Sequence, residues 1–342
     1  MKTKRIIIGA TATVLLIAVA AVVTAYTLLL NKPFNLEKPK YIYVDTDDTA
    51  DSVLFKIETT LAPKSMNGFK ILSKVYGYKD KVRQGAYKMN ASMRTIDAFR
   101  KLLYAWQDPV RMIVPSTRTT GRAIKTLTKG LMTDSAAVAS LLNDSAYIAD
   151  LGFTAQTLLA LFMPNTYEVY WNISSDNLVK RLKREYDRFW NAERLAKADS
   201  INLTPIEVST LASIVEEETA NKQEKPIVAG LYLNRLRKGI PLQADPTVKF
   251  AMQDFTLKRI LLKHLETESP YNTYKHSGLP PGPIRIPSIE GLESVLNYTH
   301  HNYLYMCAKE DFSGTHNFAV TLSEHNRNAA RYQQELNRRK IR

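Results

Sequence analysis

An α+β fold in two soluble parts behind one membrane-spanning helix is what this sequence predicts, on three observations. Residues 6–30 hold no charged side chain and are mostly Ile, Leu, Val and Ala, a run longer than the ~20 residues that cross a bilayer as a helix. Beyond them, short strand-like alternations are interleaved with longer stretches at helical spacing. With 45% hydrophobic residues the chain has an ordinary globular composition, and the remaining ~310 residues suffice for about two domains.

The apolar run outlasts the 7–15-residue core of a cleavable signal peptide, which favours a retained anchor. Lys2, Lys4 and Arg5 precede it, so the positive-inside rule keeps residues 1–5 in the cytoplasm and sends the rest across the membrane. The formal net charge is +14. Outside the cell such a field suits an anionic envelope polymer or a membrane surface rather than nucleic acid, and no nucleic-acid-binding motif is present. The single cysteine, Cys307, excludes an internal disulfide and a cysteine-based zinc cluster. Its apolar surroundings, Tyr303 to Ala308, read as a buried strand.

Taken in order, residues 31–40 read as a linker leaving the membrane. Tyr41 to Val44 alternates as a strand, Thr49 to Leu61 and Lys70 to Tyr76 have helical spacing, Gln84 to Met89 reads as a strand and Thr95 to Trp106 as a helix. Residues 41–108 thus form a small α+β module. Pro109 marks a boundary, and Val110 to Pro115 opens a second region, 109–342, with a strand. Helices are expected at Thr120 to Lys129, Ser135 to Leu142, Thr154 to Leu161 and Asn177 to Leu195, then at Ile227 to Lys238, which Gly239 ends. Between Pro270 and Pro287 stand five prolines and two glycines, too many for regular structure, so a long functional loop is expected there.

Between these helices lies Leu211-Ala-Ser-Ile-Val-Glu-Glu-Glu-Thr219. Thr204-Pro205-Ile206-Glu207 before it has the form of a capping box with proline at the first helical position. At about 100° per residue, Val208, Leu211, Ile214 and Val215 share one face, and Glu218 lies about 20° from Leu211. Glu217 and Glu216 fall about 120° and 140° away, on opposite sides, and are expected to face solvent or brace the site. A carboxyl turned to a dry wall tends to stay protonated and can serve as a general acid. A frayed, fully solvated acidic helix end is the competing reading.

Four further stretches are polar and turn-rich: Leu242-Gln-Ala-Asp-Pro-Thr-Val248, Ser269-Pro-Tyr-Asn-Thr-Tyr274, Gly278-Leu-Pro-Pro-Gly-Pro-Ile284, and Gly314-Thr-His-Asn-Phe318 with Glu324-His-Asn326. With Ala212-Ser-Ile-Val-Glu-Glu-Glu-Thr219 they make five linked motifs, in an order that resembles the endolytic murein transglycosylase (YceG-like) family from about Val110 to Asn326. Upstream the likeness is thinner: Gly85-Ala-Tyr-Lys resembles the end of that family's LysM-like module. Phe162-Met-Pro-Asn-Thr-Tyr167 departs from the family's F-x-P-[DE]-T-Y at Asn165, which removes any acid from that position.

The resemblance implies an inner-membrane enzyme with a LysM-like module and an α+β lytic transglycosylase domain. It acts on nascent peptidoglycan glycan strands beside peptidoglycan synthases, without cofactor or metal. It further implies that Glu218 protonates the glycosidic oxygen between N-acetylmuramic acid and N-acetylglucosamine, then takes the proton of the muramoyl C6 hydroxyl, closing a 1,6-anhydro ring without water. Gln243, Asp245, Tyr271, Asn272, Tyr274, His316, Glu324, His325 and Asn326 are the candidate substrate-binding residues. Their alternatives stay open: Asp245 as a turn or helix cap or as the second carboxylate of a muramidase, Tyr271 and Tyr274 as packed aromatics, Glu324, His325 and Asn326 as a brace for the site wall. The histidine spacings match no zinc pattern. A membrane-tethered glycan-binding scaffold is the non-enzymatic rival.

Overall fold

The computed structural model describes residues 2–257 and 259–339. Met1 and residues 340–342, the outer ends of the expected cytoplasmic tail and catalytic region, lie outside the described residues, as do the side chains of Lys2, Lys4 and Arg5. Helix α1 spans Lys2–Ala25 and passes into a π-helical turn at Tyr26–Leu30. Within it Thr11–Leu30 is long and apolar enough to cross a membrane.

The chain forms two compact units. Among the described residues, the first runs through Arg111 and takes in Gly130–Met132 and Glu168–Ile173. It holds β1 (Lys40–Val44), α2 (Ala50–Leu61), α3 (Asn67–Val75), β2 (Gly85–Met89) and α4 (Thr95–Leu103). The strands pair antiparallel, Lys40 opposite Met89 and Val44 opposite Gly85. Alternation turns Ile42 and Val44 inward, onto Val53, Ile57, Phe69, Tyr87 and Phe99. Thr49 and Ser52 close a capping box at the start of α2. The stretch read as a linker is not free: Phe34 is buried and lies 5.9 Å from the Phe69 ring. At Gly68 the chain approaches itself closely, for a Cβ there would meet the carbonyl oxygen of Leu28 at 2.2 Å. Only glycine fits such a crossing.

The second unit comprises Met112–Lys129, Thr133–Tyr167 and the described residues from Ser174 onward. Strands β3 (Val110–Val114) and β4 (Asn165–Val169) each contribute residues to this unit, from Met112 on and up to Tyr167. Between them come α5 (Thr120–Leu127), α6 (Ser135–Asn143) and α7 (Ser145–Asp150). The helix expected over Thr154 to Leu161 is only a 3₁₀ turn at Leu158–Leu161. The long helix expected over Asn177 to Leu195 is two, α8 (Ser175–Phe189) and α9 (Ala192–Ser200). The break follows from Asn191, whose Oδ1 accepts the Arg194 amide at 3.0 Å and caps α9. Next come α10 (Pro205–Glu218), α11 (Lys225–Arg237), α12 (Asp245–Met252), the single turn α13 (Leu262–Leu265) and α14 (Ile289–Leu296). The proline-rich stretch is irregular as expected, and α14 follows it at once.

The last elements are β5 (Tyr305–Ala308), β6 (His316–Ala319) and α15 (Leu322–Arg338). β5 and β6 pair antiparallel, Tyr305 opposite Ala319 and Ala308 opposite His316. Cys307, read as buried core, is half-buried, as is every residue of β5 in this two-stranded sheet.

Helix α10 is the axis of the second unit. Its residues from Val208 to Val215 are all buried, Ser209, Thr210 and Ser213 included, and it packs against α9, α11, α12 and α14. Each buried hydroxyl is satisfied. Ser209 and Thr210 donate to the carbonyls four residues back at 2.8 Å, and Ser213 donates to the Thr210 carbonyl while accepting the Ile284 amide at 3.0 Å. The capping box stands as expected, with the Thr204 hydroxyl accepting the Glu207 amide and Glu207 Oε2 accepting the Thr204 amide at 2.7 Å. Thr204→Ala removes this start and is expected to lower stability by about 1 kcal/mol, read from the urea-unfolding midpoint with the native circular dichroism unchanged.

Candidate active site

The three glutamates end α10, and their hydrogen bonds go to different partners, although Arg285, bonded to Glu217, also comes within 3.9 Å of Glu216 Oε1. Because α10 is enclosed on every side, Glu216 and Glu217 do not face solvent. Their side chains are only 12% and 11% exposed. Oε2 of Glu216 accepts the Ser288 amide at 2.7 Å, joining α10 to the first turn of α14. Gly291 makes room for it, since a Cβ there would lie 3.0 Å from that oxygen. Glu217 takes two arginines: Arg118 bidentate at 2.9 and 2.6 Å, and Arg285 Nη1 at 2.9 Å. The wheel assigned a solvent side to a helix that has none. Both acids are braces.

Among the described residues Glu218 makes no ion pair, and the Lys249 charge acts on it without a hydrogen bond. Its Oε1 accepts the Tyr232 hydroxyl of α11 at 2.9 Å. Burial pushes its pKa up to about 7. The Tyr232 hydrogen bond and the Lys249 charge oppose that rise, while Asp245 and Glu217 add to it. Tyr232 is itself buried, and its phenol pKa is driven well above 10.0 by burial and by the neighbouring carboxyl. So the phenol stays a donor, and a carboxyl half-protonated near neutrality opens onto the cleft.

That cleft measures about 350 Å³ and is lined by Glu218, Leu231, Tyr232, Arg235, Leu242, Gln243, Asp245, Tyr274, Leu304, Tyr305, Met306 and His325. Asp245 opens α12, where the helix dipole favours a negative charge. Its Oδ1 accepts the Tyr274 hydroxyl at 2.7 Å, and its side chain makes no capping bond. Gln243 sits at φ +52°, a strained left-handed conformation for a residue other than glycine. Two bonds hold it, its amide to the Thr273 carbonyl at 3.1 Å and its Oε1 to Arg235 Nη2 at 2.7 Å. Arg235 is buried and also donates to the carbonyls of Pro241 and Leu304. One guanidinium therefore ties α11 to both the Gln243 turn and the chain entering β5. His325 lines the wall with its ring 5.5 Å from that of Tyr305, and burial lowers its pKa.

Of the ten candidates, the cleft gathers Glu218, Gln243, Asp245, Tyr274 and His325. The other five stand elsewhere. Tyr271 packs 4.8 Å from the Phe250 ring. Asn272 is fully buried, its Nδ2 donating to the Leu265 and Thr267 carbonyls and its Oδ1 accepting the Tyr274 amide at 3.1 Å. It shapes the loop that delivers Tyr274. Glu324 accepts the Val320 amide at 3.1 Å at the start of α15, and Asn326 is exposed. His316 binds Glu224 through its amide at 2.7 Å and its Nδ1 at 3.0 Å, while Glu224 Oε2 also accepts the Thr219 hydroxyl at 3.2 Å. This network fastens the residue after Glu218 to β6. Upstream of these, His301 Nε2 meets the Ile227 carbonyl at 2.8 Å and its Nδ1 accepts the Tyr303 amide, so the histidines serve separate packing roles. Tyr232, Arg235, Glu224, Arg118 and Arg285 carry no pattern that singles them out in sequence.

Comparison with known proteins bears on what this cleft is. Residues 42–331 match the sequence model of the YceG-like family. The chain belongs to the YceG-like family. The match begins well before the motif-rich part, inside β1 of the first unit. An endolytic murein transglycosylase of Bacillus subtilis (strain 168) is 43% identical over 123 residues, covering 36% of this chain and 33% of that relative. One of Streptococcus pneumoniae (strain D39) is 27% identical over 335 residues, covering 88% of this chain and 60% of the relative. The YceG-like chain thus spans a third to three fifths of the length of these relatives. The crystal structure of a yceG-like protein from Listeria monocytogenes shares the fold, with TM-score 0.56 and 23% identity, over 85% of this chain and 99% of the other.

The two neighbours of Glu218 act with opposite sign. Tyr232→Phe, by removing a bond to the charged form, is expected to raise the Glu218 pKa above about 7, and Asp245→Asn to lower it. Carboxyl carbon NMR across pH 5 to 9 checks both. Shifts in the same direction would refute the balance described here.

Proposed function

We propose that this protein is a peptidoglycan lytic transglycosylase in which Glu218 is both acid and base. The observation that carries the reading is the carboxyl itself: desolvated, in no ion pair among the described residues, and hydrogen-bonded there on one oxygen only. With Oε1 held by Tyr232, the acidic proton rides on Oε2 and is offered to the glycosidic oxygen between N-acetylmuramic acid and N-acetylglucosamine. As that bond breaks, positive charge grows on the sugar ring, and Asp245, held by the Tyr274 hydroxyl in the same cleft, favours it electrostatically. The Glu218 carboxylate then removes the proton of the muramoyl C6 hydroxyl, which attacks C1 and closes the 1,6-anhydro ring. The nucleophile belongs to the substrate, so proximity replaces a second catalytic carboxylate. Names of the relatives, endolytic murein transglycosylases, support the same substrate class.

In this reading Thr11–Leu30 anchors the protein as a single span with its N-terminus cytoplasmic, and both units work on the outer face of the membrane. Residues 41–108, within the first unit, are the LysM-like module in this reading, and the enzyme trims strands beside the synthases that make them.

Asp245 in the same cleft sustains one rival, a two-carboxylate muramidase. Product mass separates the two, since hydrolysis leaves each reducing end one water heavier than its anhydro counterpart. Glu218→Gln is expected to cut turnover of uncrosslinked strands by about 10²–10⁴-fold with the fold intact. Asp245→Asn should be slower yet still release anhydro ends. Wild-type activity in the Gln variant, or hydrated ends from the native enzyme, overturns the proposal.

A further inference from the structure

A second cleft, of about 480 Å³, opens beside the first in the same unit. It is lined by Arg118, Arg122 and Arg285 with a single carboxylate, Glu217, and by the hydroxyl-bearing residues Ser116, Thr117, Thr119 and Thr126. Glu217 already occupies Arg118 and Arg285. Arg122, exposed in the first turn of α5, makes no side-chain bond among the described residues. Three guanidinium groups against one carboxylate leave the described lining with a net positive charge, and Arg122 is the arginine of the three whose side chain is free to bind.

Its position relative to the catalytic cleft follows from helix geometry. Glu217 and Glu218 are consecutive, so their side chains leave α10 about 100° apart, one into each cleft. A small void of about 40 Å³ is lined by Arg118, Glu217 and Phe255 from the basic side and by Pro246 and Lys249 of α12. Asp245, directly before Pro246, lines the catalytic cleft. Cationic groups therefore continue from Arg122 through Arg118 to Lys249 along the flank of the site.

We propose that this basic cleft binds a carboxylate of the peptide stem carried by the glycan strand being cut. The inference rests on the function proposed above. In a stem-bearing strand the N-acetyl sugars are uncharged and the lactyl acid is tied up in an amide, so the stems hold the carboxylates. A muramoyl residue whose C1 faces Glu218 must send its stem past one wall of the site. The wall that offers a planar, two-pronged donor to a carboxylate is the arginine-lined one. Arg118 and Arg285, held by Glu217, shape the cleft, and Arg122 makes the contact.

The test is binding of uncrosslinked stem-bearing strands to the full chain in detergent, carrying Glu218→Gln so that strands survive. Each strand preparation is used with free stem carboxylates and again after chemical amidation, which keeps stem and glycan and removes the charge. The free-acid strands are expected to bind about fivefold tighter than the amidated ones. Adding Arg122→Glu should abolish that preference, whereas Lys238→Glu, an equal change of charge on an exposed residue outside the cleft, should keep it. Equal affinity for the two preparations overturns the proposal. So does a loss of preference in both charge variants, which would assign it to the overall +14 field. Failure of the catalytic reading shows up separately, as strands that bind the native chain but release no anhydro ends.

Discussion

The second unit depends on one constraint: α10 has no solvent side. Polar atoms at the core of a protein must find partners, so Ser209, Thr210 and Ser213 turn back on the backbone, and the carboxyls of the last turn reach different neighbours. Glu216 goes to a backbone amide and Glu217 to two arginines. Glu218 goes to a phenol, a neutral donor whose one hydrogen bond offsets only part of the carboxylate's desolvation. For Glu218, burial beside a neutral donor raises the pKa. The order of three identical residues thus becomes a division of labour through what each one meets.

The same enclosure keeps the site rigid. Tyr232 and Arg235 lie on adjacent turns of α11, itself buried from Val228 to Leu233. One orients Glu218 and the other pins the strained Gln243 turn. Glu224 ties the first residue after α10 to His316 on β6. Groups from α10, α11, α12, the 271–274 loop and α15 therefore meet in one cleft without any of them resting on a mobile tip. Such preorganisation is what general acid catalysis requires, because a misplaced donor forfeits most of its effect.

Much of this was legible in the sequence where local rules decide. The capping box at Thr204 and Glu207, the uncharged run over residues 6–30 and the irregular proline-rich stretch all follow from backbone chemistry acting over a few residues. The phase of α10 set Glu218 apart from its neighbours. It misplaced Glu216 and Glu217, since a helical wheel presumes an exposed face and α10 is a core helix. Asn191 broke an expected single helix because an asparagine cap outweighs continuing periodicity. Tyr232, Arg235 and Glu224 were hidden for a related reason. In sequence they are ordinary members of an amphipathic pattern, and only packing shows that they are buried and aimed at one another. Asn272 and Tyr271 stand in a motif beside Tyr274, yet motif membership does not distinguish the side chain that reaches the cleft from those that build the loop.

Catalysis as proposed needs a Glu218 carboxyl that its surroundings keep about half-protonated at neutral pH and that donates its proton in the first step. The direct measurement is kcat/KM for strand cleavage as a function of pH, which reports the ionisation of the free enzyme. The value predicted for Glu218 requires the rate to fall as pH rises through about 7. A rate that stays flat or climbs across that interval would contradict it.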